Sequence, residues 1–178
     1  MTHEILMHEF TMTSSPIMTP IAKSKCAVLK EKILQVIVMR AGEPFADGGA
    51  RLLDEINSVR EIGVVDAHRV EKPGFKFEVV MGSFKVPKFD KNTIVVVYDP
   101  MLATASTLTE ILKRLKKHGT PKKFIICSII AADYGLKSLQ KHFPELVVYT
   151  LGVDKELNSK GYIVPGLGDC GDRAFGTY

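Results

Sequence analysis

The stretch TIVVVYDPMLATAST, Thr93 to Thr107, decides how the chain folds. Its first six residues are strand formers. They run without apolar and polar alternation, the habit of a strand buried on both faces in a parallel sheet. The run stops at Asp99 and Pro100 and crosses small and hydroxyl side chains. Leu108, Ile111, Leu112 and Leu115 then take up the i, i+3, i+4, i+7 spacing of a helix. Lys113, Arg114, Lys116 and Lys117 turn away from that face, and Gly119 and Pro121 stop the helix. A buried strand, a short loop and an amphipathic helix make one βα unit.

The pattern repeats outward. ILQVIVM (Ile33 to Met39), IGVV (Ile62 to Val65), KFIICSII (Lys123 to Ile130) and LVVYTLGV (Leu146 to Val153) read as further strands, several of them continuously apolar. Alternating units of this kind predict an α/β fold with an open, mainly parallel sheet and helices on both faces. Such sheets bind ligands at the carboxyl ends of their strands. FKFEVVMGSFKVPK, Phe75 to Lys88, alternates around Gly82 and reads as a β-hairpin flap. The first thirty residues carry too weak a periodicity to assign. A length of 178 residues suits one domain spanning residues 1–178.

Composition narrows the function classes. Hydrophobic residues make up 46% and charged residues 25%, the profile of a globular protein. The longest apolar runs, such as FIICSIIAA from Phe124 to Ala132, fall short of the ~18 to 20 residues that a bilayer span needs, so no membrane helix is expected. MTHEILMHEF lacks the pattern of a secretory signal. Cys26, Cys127 and Cys170 lie far apart without CxxC, which argues against a disulfide framework and a zinc site and favours a reducing cytoplasm. The net charge of +4 is concentrated in KRLKKHGTPKK, Lys113 to Lys123. Without interleaved aromatics this run reads as a solvated helix face rather than a nucleic-acid patch. The basic balance also suits anionic substrates. His3, His8, His118 and His142 show no ligand spacing and read as surface residues.

The central loop suggests a chemistry. Asp99 puts a carboxylate at the sheet's carboxyl edge, where it can accept hydrogen bonds from a diol such as a ribose. Ala103, Thr104, Ala105, Ser106 and Thr107 are short enough for an anion to approach backbone N–H groups at the next helix's N-terminus. Together they describe a sugar-phosphate site. The same residues also fit an ordinary βα turn with Thr104 or Ser106 as N-cap. Neither GxxxxGK[ST] nor GxGxxG is present.

DPMLATAST resembles the phosphoribosyl-diphosphate motif of the uracil phosphoribosyltransferases, in which DPM replaces the paired acids of most type I phosphoribosyltransferases. VIVMRAG, Val36 to Gly42, is similar to that family's pyrophosphate loop, and LNSKGYIVPGLGDCGDRAFGT, Leu157 to Thr177, to its uracil-binding segment. The resemblance implies that Arg40 and Arg69 contact the diphosphate. It implies that Asp99, Pro100, Met101, Leu102, Ala103, Thr104, Ala105, Ser106 and Thr107 cradle ribose and 5′-phosphate. Ile163, Gly168, Asp169 and Cys170 would hold uracil, with Asp169 also near the ribose and diphosphate, so that Arg40, Asp99 and Asp169 carry the reaction. Mg²⁺ is expected through the diphosphate rather than on a protein cage. The expected partners are uracil, 5-phosphoribosyl-1-diphosphate and further copies of the chain in a homodimer or larger assembly, with room for a nucleotide effector.

Residue chemistry supports these roles unevenly. An arginine after a buried strand presents a planar fork suited to phosphate oxygens, or equally to a surface ion pair. Arg69, among His68, Glu71 and Lys72, reads alone as part of a solvated loop. Gly166, Gly168 and Gly171 permit positive φ and close approach of main chain to a flat base, or simply tight turns. Ala105 and Ser106 stand where many family members have paired glycines, which reduces the loop's backbone freedom. Cys170 stands where Ala is common and reads as a packing residue. The arm before Arg40 is shorter than is usual in the family. An RNA-binding regulator, or a nucleotide-binding paralogue without turnover, would use the same fold.

Overall fold

In the computed structural model, which describes residues 1–55, 60–72 and 76–177, the parallel units assemble as the sequence predicts. The elements in chain order are α1 (Thr2–Glu9), β1 (Met12–Met18), β2 (Lys23–Leu29), β3 (Lys32–Met39), α2 (Gly42–Glu55), β4 (Arg60–Lys72) and β5 (Lys76–Lys85). They continue through β6 (Thr93–Tyr98), β7 (Met101–Leu102), α3 (Ser106–His118), β8 (Lys123–Ala132), α4 (Asp133–His142) and β9 (Val147–Asp154). The short β10 (Glu156–Leu157), β11 (Ile163–Val164) and α5 (Cys170–Phe175) complete the order.

β4, β3, β6, β8 and β9 lie side by side and parallel, with β5 antiparallel on the outer edge of β4. Alternate residues of the continuous apolar runs feed two separate cores. Leu34, Val36, Val38, Val95, Val97 and Ile126 pack with Leu108, Ile111, Leu112 and Leu115 of α3 and Leu139 of α4 on one face. Ile94, Val96, Tyr98, Ile125 and Cys127 pack with Ile5 of α1 and Ala46 of α2 on the other. Both faces need apolar side chains, which explains why β6 shows no period of two; all six of its residues are buried.

Three expectations are corrected. The hairpin does not fold back within Phe75 to Lys88. Lys76–Lys85 is one strand, and its partner is the far half of β4, with Ala67 opposite Met81 and Val70 opposite Glu78. Gly82 therefore marks no turn. It faces the bulge at Asp66, where an added Cβ would lie 2.6 Å from Asp66 Oδ2. His118 is half-buried, its Nε2 2.9 Å from the Val86 carbonyl and its ring edge-on to Phe84.

The unassigned N-terminal residues form α1 and an antiparallel hairpin, β1 with β2. Lys123 and the Tyr149 hydroxyl both donate to Glu9, tying α1 to the sheet. Beside them, burial favours protonation of Glu31, but hydrogen bonds from Lys122 and the Thr11 N–H outweigh it and bring the carboxyl down to about 2. Among the described residues no helix is long and apolar enough to cross a membrane.

Candidate active site

β3 and β6 end at the level where β4 bulges and runs on. Met39 pairs with Asp66 across β3 and β4, and Ile37 with Tyr98 across β3 and β6, so Arg40, Asp66 and Asp99 arrive at one sheet edge. β6 breaks at Asp99 and Pro100 and rejoins β8 as β7, Met101 opposite Ile130. The break is pinned. Asp99 N–H donates to the Cys127 carbonyl at 3.1 Å, and the Pro100 carbonyl accepts from Ile129 and Ile130 at 3.0 and 3.1 Å. The Ser128 hydroxyl donates to the Asp99 carbonyl, and Met101 N–H to Asp99 Oδ1 at 3.3 Å.

The turn into α3 corrects the capping alternative. Its N-cap is neither Thr104 nor Ser106 but Ala105, in the left-handed region with φ 65 and ψ 4, which has no side-chain acceptor; the Thr104 hydroxyl accepts from Ser106 N–H at 3.4 Å. Thr104 and Ser106 hydroxyls bond each other at 3.0 Å. The N-terminus of a 13-residue helix thus opens beside Asp99, with the partial positive charge that suits an anion.

A cavity of about 720 Å³ occupies this edge. Arg40, Asp66, His68, Asp99, Met101 and Ala103 form its strand-end wall, and Lys160 to Ile163 with Gly168 to Gly171 form the wall opposite. A lobe of about 180 Å³ shares Met39, Ala67, Asp99, Met101 and Ala103 with it and runs on to Leu102, Ala105 and Thr107. The two spaces gather Arg40, Asp99, Ile163, Gly168, Asp169 and Cys170 from stretches up to 130 residues apart. Pro100, Thr104 and Ser106 line neither. Arg69 sits within β4 opposite Val79, not at a strand end; its side chain lies outside the described residues.

The opposite wall is built from turns. Asn158 Oδ1 accepts from Lys160 and Tyr162 N–H at 3.0 Å each, and Asp154 Oδ2 from Gly166 N–H at 3.0 Å. The Val164–Pro165 peptide is cis, and Gly166 and Gly168 have φ of 54 and 79; Gly171 is helical instead. Ile163 is buried against Ala103 and Ala132. Asp169 caps α5, accepting from Asp172 N–H at 2.9 Å. Burial, then the Asp169 and Asp99 carboxylates, raise the Cys170 thiol above its ordinary value, which keeps it protonated. Arg40 Nη2 donates to Asp172 Oδ1 at 2.9 Å and Nη1 to the Thr177 hydroxyl at 3.1 Å.

Asp66, His68, Lys160 and Tyr162 belong to the cavity without having been singled out from sequence. Asp66 carried a readable signal, since IGVVD ends an apolar run in aspartate as TIVVVYD does. The basic run is largely paired: Lys113 with Glu110, Lys116 with Glu145, Lys122 with Glu31 and Lys123 with Glu9.

The family model for uracil phosphoribosyltransferase matches residues 1–177. A uracil phosphoribosyltransferase from Pyrococcus furiosus is 39% identical over 160 residues, covering 89% of this chain and 66% of its own. The chain thus spans about two thirds of the length of that relative. A solved structure from Aquifex aeolicus superposes with a TM-score of 0.86 at 34% identity, covering 99% of this chain and 80% of its own. A hypoxanthine phosphoribosyltransferase from Staphylococcus aureus shares the fold, with a TM-score of 0.52 at 13% identity over 71% of this chain and 64% of its own.

Proposed function

The chain belongs to the uracil phosphoribosyltransferase family, and we propose that it makes UMP and diphosphate from uracil and 5-phosphoribosyl-1-diphosphate, a cytoplasmic salvage step. The observation that carries this reading is the two-walled cavity. One wall supplies a carboxylate and a helix N-terminus for ribose and phosphate, and the other supplies main-chain groups for a flat base.

Asp99 accepts from the ribose diol, and the residues from Ala103 to Thr107 with the first turn of α3 hold the 5′-phosphate. Arg40, joined by Arg69, takes the diphosphate. Its charge and planar donors stabilise the leaving anion as C1′ gains oxocarbenium character. Uracil N1 attacks from an orientation fixed by the main chain around Ile163 and Gly168 to Cys170, so positioning supplies much of the rate. The β4–β5 hairpin, leaving the sheet where Asp66 and His68 line the cavity, screens the reacting carbon from water.

Among the described residues no three His, Cys, Asp or Glu side chains gather into a metal-holding group. The cavity carboxylates Asp99 and Asp169 nonetheless fit Mg²⁺, which binds through one or two carboxylates together with substrate phosphates. Asp99 and Asp169 would hold it with the diphosphate oxygens, where it would neutralise leaving-group charge. Assembly as a homodimer or larger oligomer follows the family and is read by analytical sedimentation.

Base selectivity tests the proposal. Uracil offers an N3–H donor beside an O4 acceptor, and cytosine reverses both senses. Main-chain groups cannot rotate to follow. At ~1 to 3 kcal/mol per unsatisfied group, two mismatches give discrimination on the order of 10² to 10⁴. UMP formation assayed with uracil, 5-fluorouracil, cytosine and hypoxanthine should show the first two accepted and the others poor. Comparable rates with cytosine, or a preference for hypoxanthine, would overturn the uracil reading and leave the phosphoribosyl-diphosphate site standing.

A further inference from the structure

We propose that Asp172 is a positioning residue for diphosphate binding, acting only through Arg40; the inference rests on the proposed phosphoribosyl transfer. Arg40 is half-exposed at the cavity edge, with a long side chain that would otherwise sample many rotamers. It does not hang free. Nη2 donates to Asp172 Oδ1 at 2.9 Å, and Nη1 donates to the Thr177 hydroxyl at 3.1 Å. That hydroxyl donates in turn to the same Asp172 Oδ1 at 2.7 Å, closing a three-membered ring of hydrogen bonds. The Phe175 ring lies 5.8 Å from the guanidinium carbon.

Two anchored nitrogens fix the plane of the guanidinium and leave three of its five N–H donors for substrate. Asp172 itself lines neither part of the cavity, whereas Arg40 and Asp169 to Gly171 do. The carboxylate therefore stands behind the arginine. The Asp172 backbone N–H is bonded to Asp169 Oδ1, so one turn of α5 sets both the cavity carboxylate and the arginine's support. The cost of ordering Arg40 is thereby met before substrate arrives.

The test combines kinetics with calorimetric binding of inorganic diphosphate and Mg²⁺ to wild type, Asp172→Ala, Asp172→Asn, Arg40→Ala and the Arg40→Ala, Asp172→Ala double variant. Asp172→Ala should weaken diphosphate binding and raise KM for phosphoribosyl diphosphate about tenfold, with KM for uracil within about twofold of wild type. Asp172→Asn keeps an acceptor and should recover part of that loss, which guards against a variant that merely misfolds. Once Arg40 is alanine, removing Asp172 should change neither quantity more than about twofold. Equal increases in both KM values, tighter diphosphate binding, or an Asp172 effect that persists without Arg40 would overturn the assignment. Wild-type protein that binds diphosphate but forms no UMP would strike the uracil reading alone, since the binding arms would still decide the role of Asp172.

Discussion

The two walls of the cavity are made by different physics. The strand-end wall is a by-product of the core: β6 is buried throughout, and Asp99 is the half-buried residue that follows it, its neighbours fastened to β8 by main-chain bonds. The wall from Lys160 to Gly171 has little core beneath it beyond Ile163, and depends on turns, caps and glycine dihedrals. One wall owes its shape to where apolar side chains must go, the other to which backbone conformations are allowed. Chemistry on the first should thus be separable from stability, whereas on the second the two are entangled.

Asp99→Asn gives the largest expected effect. It retains the volume and the sheet, and loses charge-assisted hydrogen bonds worth ~1.5 to 3 kcal/mol each. kcat/KM should fall at least about tenfold with an unchanged melting temperature. Normal kcat/KM would remove Asp99 from the site, and a large loss of stability would break the claim that this wall separates chemistry from folding. Gly166→Ala probes the other wall. An added Cβ would lie 2.2 Å from the Ile163 carbonyl at a φ of 54, so stability should drop by about 1 to 3 kcal/mol while KM for uracil rises. A drop in stability with unaltered uracil KM would uncouple that turn from base binding.

Thiol labelling compares access to the base wall with access to the core that carries the strand-end wall. Burial pushes the Cys127 thiol up to about 12, and it lies fully within β8, whereas Cys170 is half-buried at the cavity. With Cys26 changed to serine, Ellman's reagent should modify Cys170 slowly in the native state and Cys127 only on unfolding. Because thiolate is the reactive form and the Cys170 value is raised, its rate should still be climbing with pH past the ordinary thiol range. Native labelling of both thiols at similar rates would erase the contrast. The smallest effect is expected from Ala105→Gly. A left-handed alanine costs about 1 to 2 kcal/mol, and its buried methyl returns roughly 0.8 kcal/mol. The glycine variant should be more stable by less than about 1 kcal/mol in urea unfolding; a clear destabilisation would show that the methyl outweighs the strain.

The same contrast explains what could be read in the sequence. Strand positions, the α3 face and Asp99 were legible because burial on both faces leaves a local signature. Asp66 carried that signature too and was passed over. Arg69 reads as a loop residue in the sequence because the extension of β4 to Lys72 depends on its pairing with β5, a register that no local pattern announces. The conformation of Ala105 was hidden as well: a residue type that disfavours positive φ adopts it because the loop is fixed at both ends. For the base wall, sequence offered glycines and a family likeness. Of three glycines read as candidates for positive φ, Gly166 and Gly168 adopt it, and Gly171 was taken into α5 by the Asp169 cap.

β7 rejoins β8 only two residues beyond Asp99, so the chain is held by the sheet on either side of that carboxylate. Amide protons there exchange with solvent only through openings that part β8 from its neighbours, which approach the free energy of global unfolding. Those from Lys160 to Gly168, held by a few turn bonds, exchange through local fraying. In deuterium oxide the cavity would behave as two clocks, slow on the sugar side and fast on the base side, and added uracil should slow only the second.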